Sequence, residues 1–190
     1  MKKSTIALIA IGAIILLTIF WGIGTRNSLV SMAEEVQLEA SQVETQLQRR
    51  SDLIPNFVAT VKGYAAHEEE VYTAIADARS KLAGAIEEED VGAMNEANSQ
   101  LDSALSRLLV IVENYPELKA NENFIALQDE LAGTENRIAI AREDYNTKVA
   151  SYNRSIKMFP KNLIANMCGL EEAEYFEASE GAKDVPKVEF

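Results

Sequence analysis

The sequence predicts an all-α protein: an antiparallel up-and-down bundle of three long helices plus a short C-terminal helix, preceded by one N-terminal transmembrane helix. Three observations carry this reading. Glycine (9) and proline (4) are scarce among the 190 residues, which disfavours a loop-rich β architecture. Residues 4–25 hold no charged side chain. Downstream, apolar residues recur at alternating steps of four and three, the period of a helix packed along its length.

The uncharged stretch comes first. Twenty helical residues at about 1.5 Å each span a hydrocarbon core of about 30 Å. A removed signal peptide has a shorter apolar run ending in a small-x-small site, and Gly22-Ile23-Gly24 matches that only weakly. The segment therefore reads as an uncleaved anchor, with Trp21 as its interfacial aromatic. Lys2, Lys3 and the amino terminus outweigh Arg26, which Glu34 and Glu35 soon follow. The positive-inside rule then keeps the N-terminus in the cytoplasm and the body outside. Residues 1–26 form the anchor with its flanks, 27–176 the bundle, and 177–190 a mobile tail.

In the first bundle segment the seam runs through Val36, Ala40, Val43, Leu47, Arg50, Ile54, Phe57 and Val61. It continues through Tyr64, Glu68, Val71, Ile75, Ala78 and Leu82. Its phase does not slip at Pro55, although an interior proline costs about 3 kcal/mol by removing one hydrogen bond and crowding the preceding turn. The expectation is one long helix kinked at Pro55, with two separate helices as the alternative. Asp90 reads as the N-cap of the next segment, whose seam is Met94, Ala97, Leu101, Leu105, Leu108, Val112 and Tyr115, punctuated by Pro116. Asn121 or Asn123 caps the third, which carries Phe124, Leu127, Leu131, Thr134, Ile138, Tyr145, Val149, Tyr152 and Ile156 and stops at Phe159-Pro160. One short helix is expected within residues 162–176.

Charge narrows the function classes. The net charge is −12, and beyond Arg26 the chain carries 15 basic against 30 acidic residues. Such a body is repelled by phosphate backbones, so no nucleic-acid partner is expected. The lone Cys168 cannot form an internal disulfide or a cysteine metal cluster, and it reads as a small buried residue. His67, the single histidine, lies beside Glu68, Glu69 and Glu70. A di-iron bundle needs two Glu-x-x-His motifs on different helices, so a solvated helix face is expected instead of a metal site. Nucleophile elbows, phosphate loops and Rossmann glycines are absent from the sequence. The chain reads as a non-enzyme without cofactor. Arg50 and Glu68 on the first seam, and Arg137, Arg142 and Asn146 near the third, must pair or reach water, because an unpaired buried charge costs several kcal/mol. A register-setting ion network is the plainer reading, and a ligand site the sharper one.

Several stretches carry a family resemblance. "QRRSDLIPNFVATVKGYAAHE", "ADARS", "VENYPELKANENFIALQDELAGTENRIAIAREDYN", "YNRSIKMFP" and the late "YFE" follow in order from Gln48 to Glu177. Together with the N-terminal apolar segment they resemble the LemA family over nearly the whole chain. The resemblance implies a membrane-anchored all-α bundle and assigns no catalytic residue. Its "RRxDLIPN" and "ENYPxLKAN" signatures mark Arg49, Arg50, Asp52, Pro55, Asn56, Tyr115, Pro116 and Lys119 as a candidate structural or interaction cluster. Arg49, Arg50 and Asp52 are expected to anchor the kink at Pro55 by pairing with acids and carbonyls that the bend exposes, a nearby guanidinium among them serving the carbonyl of Ser51, which proline deprives of its helical donor. Two functions from different classes remain open. One is an interaction or scaffold protein at the bacterial cell (inner) membrane, held in the bilayer by residues 4–25 and docking a protein partner. The other is an accessory sensor or transport-linked protein that binds a small ligand between helices near Pro55.

Overall fold

The computed structural model describes residues 3–177. Within them the chain forms six helices: α1 (Lys3–Lys62), α2 (Glu69–Glu87), α3 (Val91–Val112), α4 (Pro116–Lys119), α5 (Glu122–Lys157) and α6 (Lys161–Met167). No strand occurs among the described residues. The described residues build two compact units, one from residues 3–38 with 147–173 and one from residues 39–146 with 174–177.

In the second unit the four-three spacing of α1 does what its period requires. Val43, Leu47, Arg50, Ile54, Phe57 and Val61 are all buried, because a stripe of that period keeps to one face of a helix. Phe57 stacks on Phe124 of α5 with ring centroids 5.2 Å apart. Helices α2 and α3 pack along each other through Val71, Ile75, Ala78 and Leu82 on one and Met94, Ala97, Leu101 and Leu108 on the other, all buried. Asp90 caps α3 by accepting from the Ala93 amide at 2.8 Å, and Asn121 caps α5 by accepting from the amides of Asn123 and Phe124.

The expected helix from Val36 to Leu82, kinked at Pro55, is not what forms. α1 runs unbroken through Pro55 and ends seven residues later, and the chain turns over Gly63–Glu68 before α2 begins. The break falls where glycine weakens the helix. Tyr64 and Ala65 close the last turn onto the Val61 carbonyl, and the Tyr72 hydroxyl donates to the Ala65 carbonyl at 2.6 Å. The seam resumes in phase at Val71 because periodicity reports which side chains face the core. It does not report whether the backbone between them stays helical. Within α1, the apolar N-terminal segment and the first packed segment form one helix of 60 residues.

In the first unit, Leu29 and Val36 of α1 and Val149, Tyr152, Ile156 and Ala165 of residues 147–173 are buried. Lys148 pairs with Glu35 at 2.9 Å. From Leu8 to Ile23 the large apolar side chains lie open, Leu8 at 70% and Phe20 at 71%. The helix from Leu8 to Lys62 is long and apolar enough in its N-terminal part to cross a membrane by length and composition. α5 ends two residues before Phe159-Pro160, as proline demands. The short helix expected within 162–176 shrinks to Lys161–Met167, closed by Gly169 at φ +66, a left-handed turn that glycine enters without steric cost. Cys168, expected to be buried, is exposed, because it sits at the C-cap of α6 and ahead of an irregular segment. The tail expected from residue 177 lies, beyond Glu177, outside the described residues.

Candidate functional site

Arg50 is the residue around which the polar interior of the second unit is built. The period of α1 carries it into the seam, where it is 6% exposed. Its guanidinium donates to Asn98 Oδ1 at 2.8 Å and to an Asp102 carboxylate oxygen, and it pairs with Glu135 at 2.8 Å. Asn98 in turn donates to the other oxygen of Asp102 at 3.1 Å. Three helices, α1, α3 and α5, thus meet on one planar fork, whose five donors serve several acceptors at once. Arg142 of α5 lies nearby with its guanidinium 5.3 Å from the ring centre of Phe176. Its Nε and Nη2 are buried without a hydrogen-bond partner among the described residues. Burial pulls its pKa below the usual arginine value, the carboxylates of Glu135 and Asp102 oppose this, and Arg50 adds to it.

A second network lies on the exposed side of α1. Arg49 bonds Glu130 at 2.7 Å, and Arg137 joins the same carboxylate oxygen at 3.0 Å while also donating to the Thr134 hydroxyl at 2.8 Å. The hydrogen bond from Arg49 is the main reason that the Glu130 carboxyl is held below its ordinary pKa.

Pro55 resolves as a third feature. Its missing N–H orphans the Ser51 carbonyl inside α1, and that carbonyl accepts from Nε of Arg79 on α2 at 3.0 Å. The same nitrogen also donates to the Ser51 hydroxyl at 3.2 Å. A guanidinium does serve the freed carbonyl, as the sequence suggests, but it comes from Arg79 and from neither Arg49 nor Arg50.

The remaining members of the expected cluster are scattered. Asp52 is exposed and accepts from Gln48 at 2.9 Å. Pro55 and Asn56 are exposed, and the Asn56 carbonyl accepts from the Thr60 hydroxyl. Tyr115 is half-buried at the N-cap of α4, Pro116 opens that helix, and Lys119 closes it with an ion pair to Glu113 at 2.6 Å. Among the described residues, no hydrogen bond or ion pair links Tyr115, Pro116 or Lys119 to Arg49, Arg50, Asp52, Pro55 or Asn56. His67, expected on a solvated helix face, is exposed but sits in the turn between α1 and α2.

The residues that sequence reasoning missed are Arg79, Asn98, Asp102 and Glu135. A signal existed for two of them: Asn98 interrupts the apolar stripe of α3, and Asp102 follows it at i+4, the same face. Two grooves open beside Asp102. One of about 720 Å³ includes Asn98, Arg142, Glu174 and Tyr175 in its lining. The other, of about 610 Å³, includes Arg50, Phe57, Leu131 and Glu135. The Glu174 carbonyl accepts from the Tyr145 hydroxyl at 3.0 Å, and paired bonds from Asn146 hold Phe176 at 2.8 and 2.9 Å. Phe176 meets Tyr145 edge-on at 5.0 Å.

The chain is 30% identical over 185 residues to the magnetosome protein MamQ 2 of Paramagnetospirillum magneticum, covering 85% of this chain and 68% of that protein. It is 28% identical over 185 residues to the magnetosome protein MamQ of Magnetospirillum gryphiswaldense, with the same coverage. It is 29% identical over 158 residues to Protein LemA of Metamycoplasma hominis, covering 83% and 71%. The model of the LemA family matches residues 39–190, which include every residue of the networks around Arg50, Arg49 and Ser51. The chain belongs to the LemA family.

Proposed function

We propose that this protein is a non-catalytic, single-pass membrane protein. In this reading an antiparallel helical bundle stands on the extracytoplasmic side of the bacterial inner membrane and docks a protein partner. The observation that carries the reading is the continuity of α1: an open apolar segment runs without a break into the buried seam of the folded body. A body joined to its anchor through one helix suits a membrane-tethered scaffold better than a freely diffusing enzyme. The donors of Arg50 are spent on internal acceptors, which supports a structural role for the seam charges. Affinity capture of the full chain from detergent-solubilised membranes tests this: a stoichiometric partner, lost when the exposed Pro116 and Lys119 are replaced together with the half-buried Tyr115, is expected. Absence of any stoichiometric partner, with the folded chain intact, overturns it.

A second reading rests on Arg142. Two buried donors of its guanidinium, without a partner among the described residues, border the groove beside Asp102 and Glu174, an arrangement that suits a small zwitterion bearing a carboxylate and an ammonium group. Screening free amino acids for thermal stabilisation of the full chain, with Arg142→Met as control, separates the two readings. Stabilisation that disappears in the variant favours the ligand site.

A further inference from the structure

We infer that the α6 hairpin, residues 158–167, is a second membrane contact that dips into the bilayer interface beside the transmembrane helix. The inference rests on the reading of α1 as a membrane anchor and adds a surface that this reading does not contain.

The argument begins with position. α6 belongs to the same compact unit as the N-terminal half of α1. A methyl group placed on Gly22 would lie 3.8 Å from Cδ1 of Ile164, ordinary contact distance. Gly22 is three residues, or about 4.5 Å of helix, short of Thr25, the end of the uncharged stretch. Ile164 therefore sits at the depth where the hydrocarbon core gives way to headgroups. Trp21, the residue that marks such a boundary, is one position away and 44% exposed.

Chemistry points the same way. Ala165 faces inward and is 1% exposed, whereas Phe159 is 79% exposed, Met167 83%, Met158 56% and Leu163 53%. Leu163 and Met167 are four residues apart and share one helix face. Four large apolar side chains crowded into ten residues form the kind of patch that water-facing surfaces avoid. The open apolar surface of α1 from Leu8 to Ile23 ends at the same level, so the two surfaces are continuous with one lipid phase. Arg154 and Lys161 flank Met158 and Phe159 with no acidic residue between them, which suits anionic headgroups above a shallow apolar insertion, whereas Lys157 is paired with Glu172 at 2.6 Å. A lipid surface therefore fits this face better than a protein partner or a second copy of the chain, neither of which its depth beside Gly22 would favour.

The test uses the full chain reconstituted in phosphatidylcholine vesicles, with and without bromine on the acyl chains, since bromine quenches tryptophan by contact. Trp21 is the single tryptophan, so the unaltered chain reports on the anchor. The double variant Trp21→Phe, Phe159→Trp reports on α6, and Phe159 is open enough for the exchange to leave packing intact. The expected result is blue-shifted emission from the tryptophan at 159 and a loss to bromolipid comparable to that of Trp21. Quenching of Trp21 without quenching at position 159 overturns the α6 contact while sparing the anchor. Blue-shifted but unquenched emission at 159 means that protein covers the face, and it overturns the proposal too. No quenching of Trp21 itself removes the anchor reading and the inference with it.

Discussion

At the scale of single residues, the two neighbouring arginines of α1 show how position along a helix decides what a charge is worth. Arg50 faces inward and holds Asn98, Asp102 and Glu135 together. Arg49, one residue earlier, is exposed and pairs on the surface with Glu130. Arg50→Lys replaces a planar fork by a point charge that cannot meet all three acceptors, and it is expected to cost on the order of 2 kcal/mol. Arg49→Ala is expected to cost much less, because exposed pairs are screened. Melting of the full chain in detergent compares them, and equal shifts would refute the distinction. Glu44 offers a pH test. Burial, and then the Glu89 carboxylate, raise its pKa above the ordinary 4.5. A group whose folded pKa is raised favours the fold while protonated and loses that contribution as pH rises through the folded value. Glu44→Gln should therefore raise the melting temperature at pH 7, with the gain shrinking as the pH falls through the raised folded value and gone below about 4. A gain that is constant across this range would show that ionisation of Glu44 is not its source.

At the scale of elements, proline and asparagine do opposite work. Pro55 removes a donor from α1, and Arg79 of α2 replaces it across the helix pair. Removing Arg79 then leaves a carbonyl within the helix unpaired, a loss of about 1–3 kcal/mol. Arg79→Met should be costly in the native background and clearly less so together with Pro55→Ala, which restores the amide. Denaturant unfolding of the four chains closes the cycle, and additive effects would exclude the coupling. Asn146 and Asn153 lie two turns apart on α5, and each brackets a residue of the irregular segment after α6 with a donor and an acceptor. Asn153 holds Ala173 at 2.9 Å in both directions, as Asn146 holds Phe176. A side-chain amide is the group that offers both functions in one plane. Asn146→Asp keeps the shape and loses the donor, so limited proteolysis should cut near Glu177 sooner than in the native chain. Unchanged cleavage would show that Phe176 is held by its aromatic contacts alone.

At the scale of the whole molecule, the anchor and the body share one helix, so removal of residues 1–26 tests whether the body needs the anchor to fold. The buried residues of the second unit begin at Ala40, and its core contains no residue of the deleted segment. The truncated chain is expected to be soluble and strongly helical by circular dichroism, with a cooperative melt. A molten, non-cooperative transition would show that α1 requires its full length.

What the sequence determined by itself is what periodicity and local chemistry encode: helical class, the apolar N-terminal segment, the seam from Val36 to Val61, the caps Asp90 and Asn121, and the stop ahead of Pro160. These follow from patterns read over a few turns of chain. It also announced that Arg50 needed partners and that Ser51 needed a guanidinium, because buried charges and orphaned carbonyls are costly wherever they occur. Which residues answered, Asp102, Asn98 and Glu135 for the one and Arg79 for the other, was decided only by tertiary structure, since they come from helices 28 to 85 positions away. The turn at Gly63–Glu68 was likewise hidden, because an apolar stripe in unbroken phase is compatible with a helix that stops and restarts. The exposure of Cys168 and the open face of α6 were hidden for the same reason: a short segment buries or bares its side chains according to the surface it lands on, which local sequence does not contain.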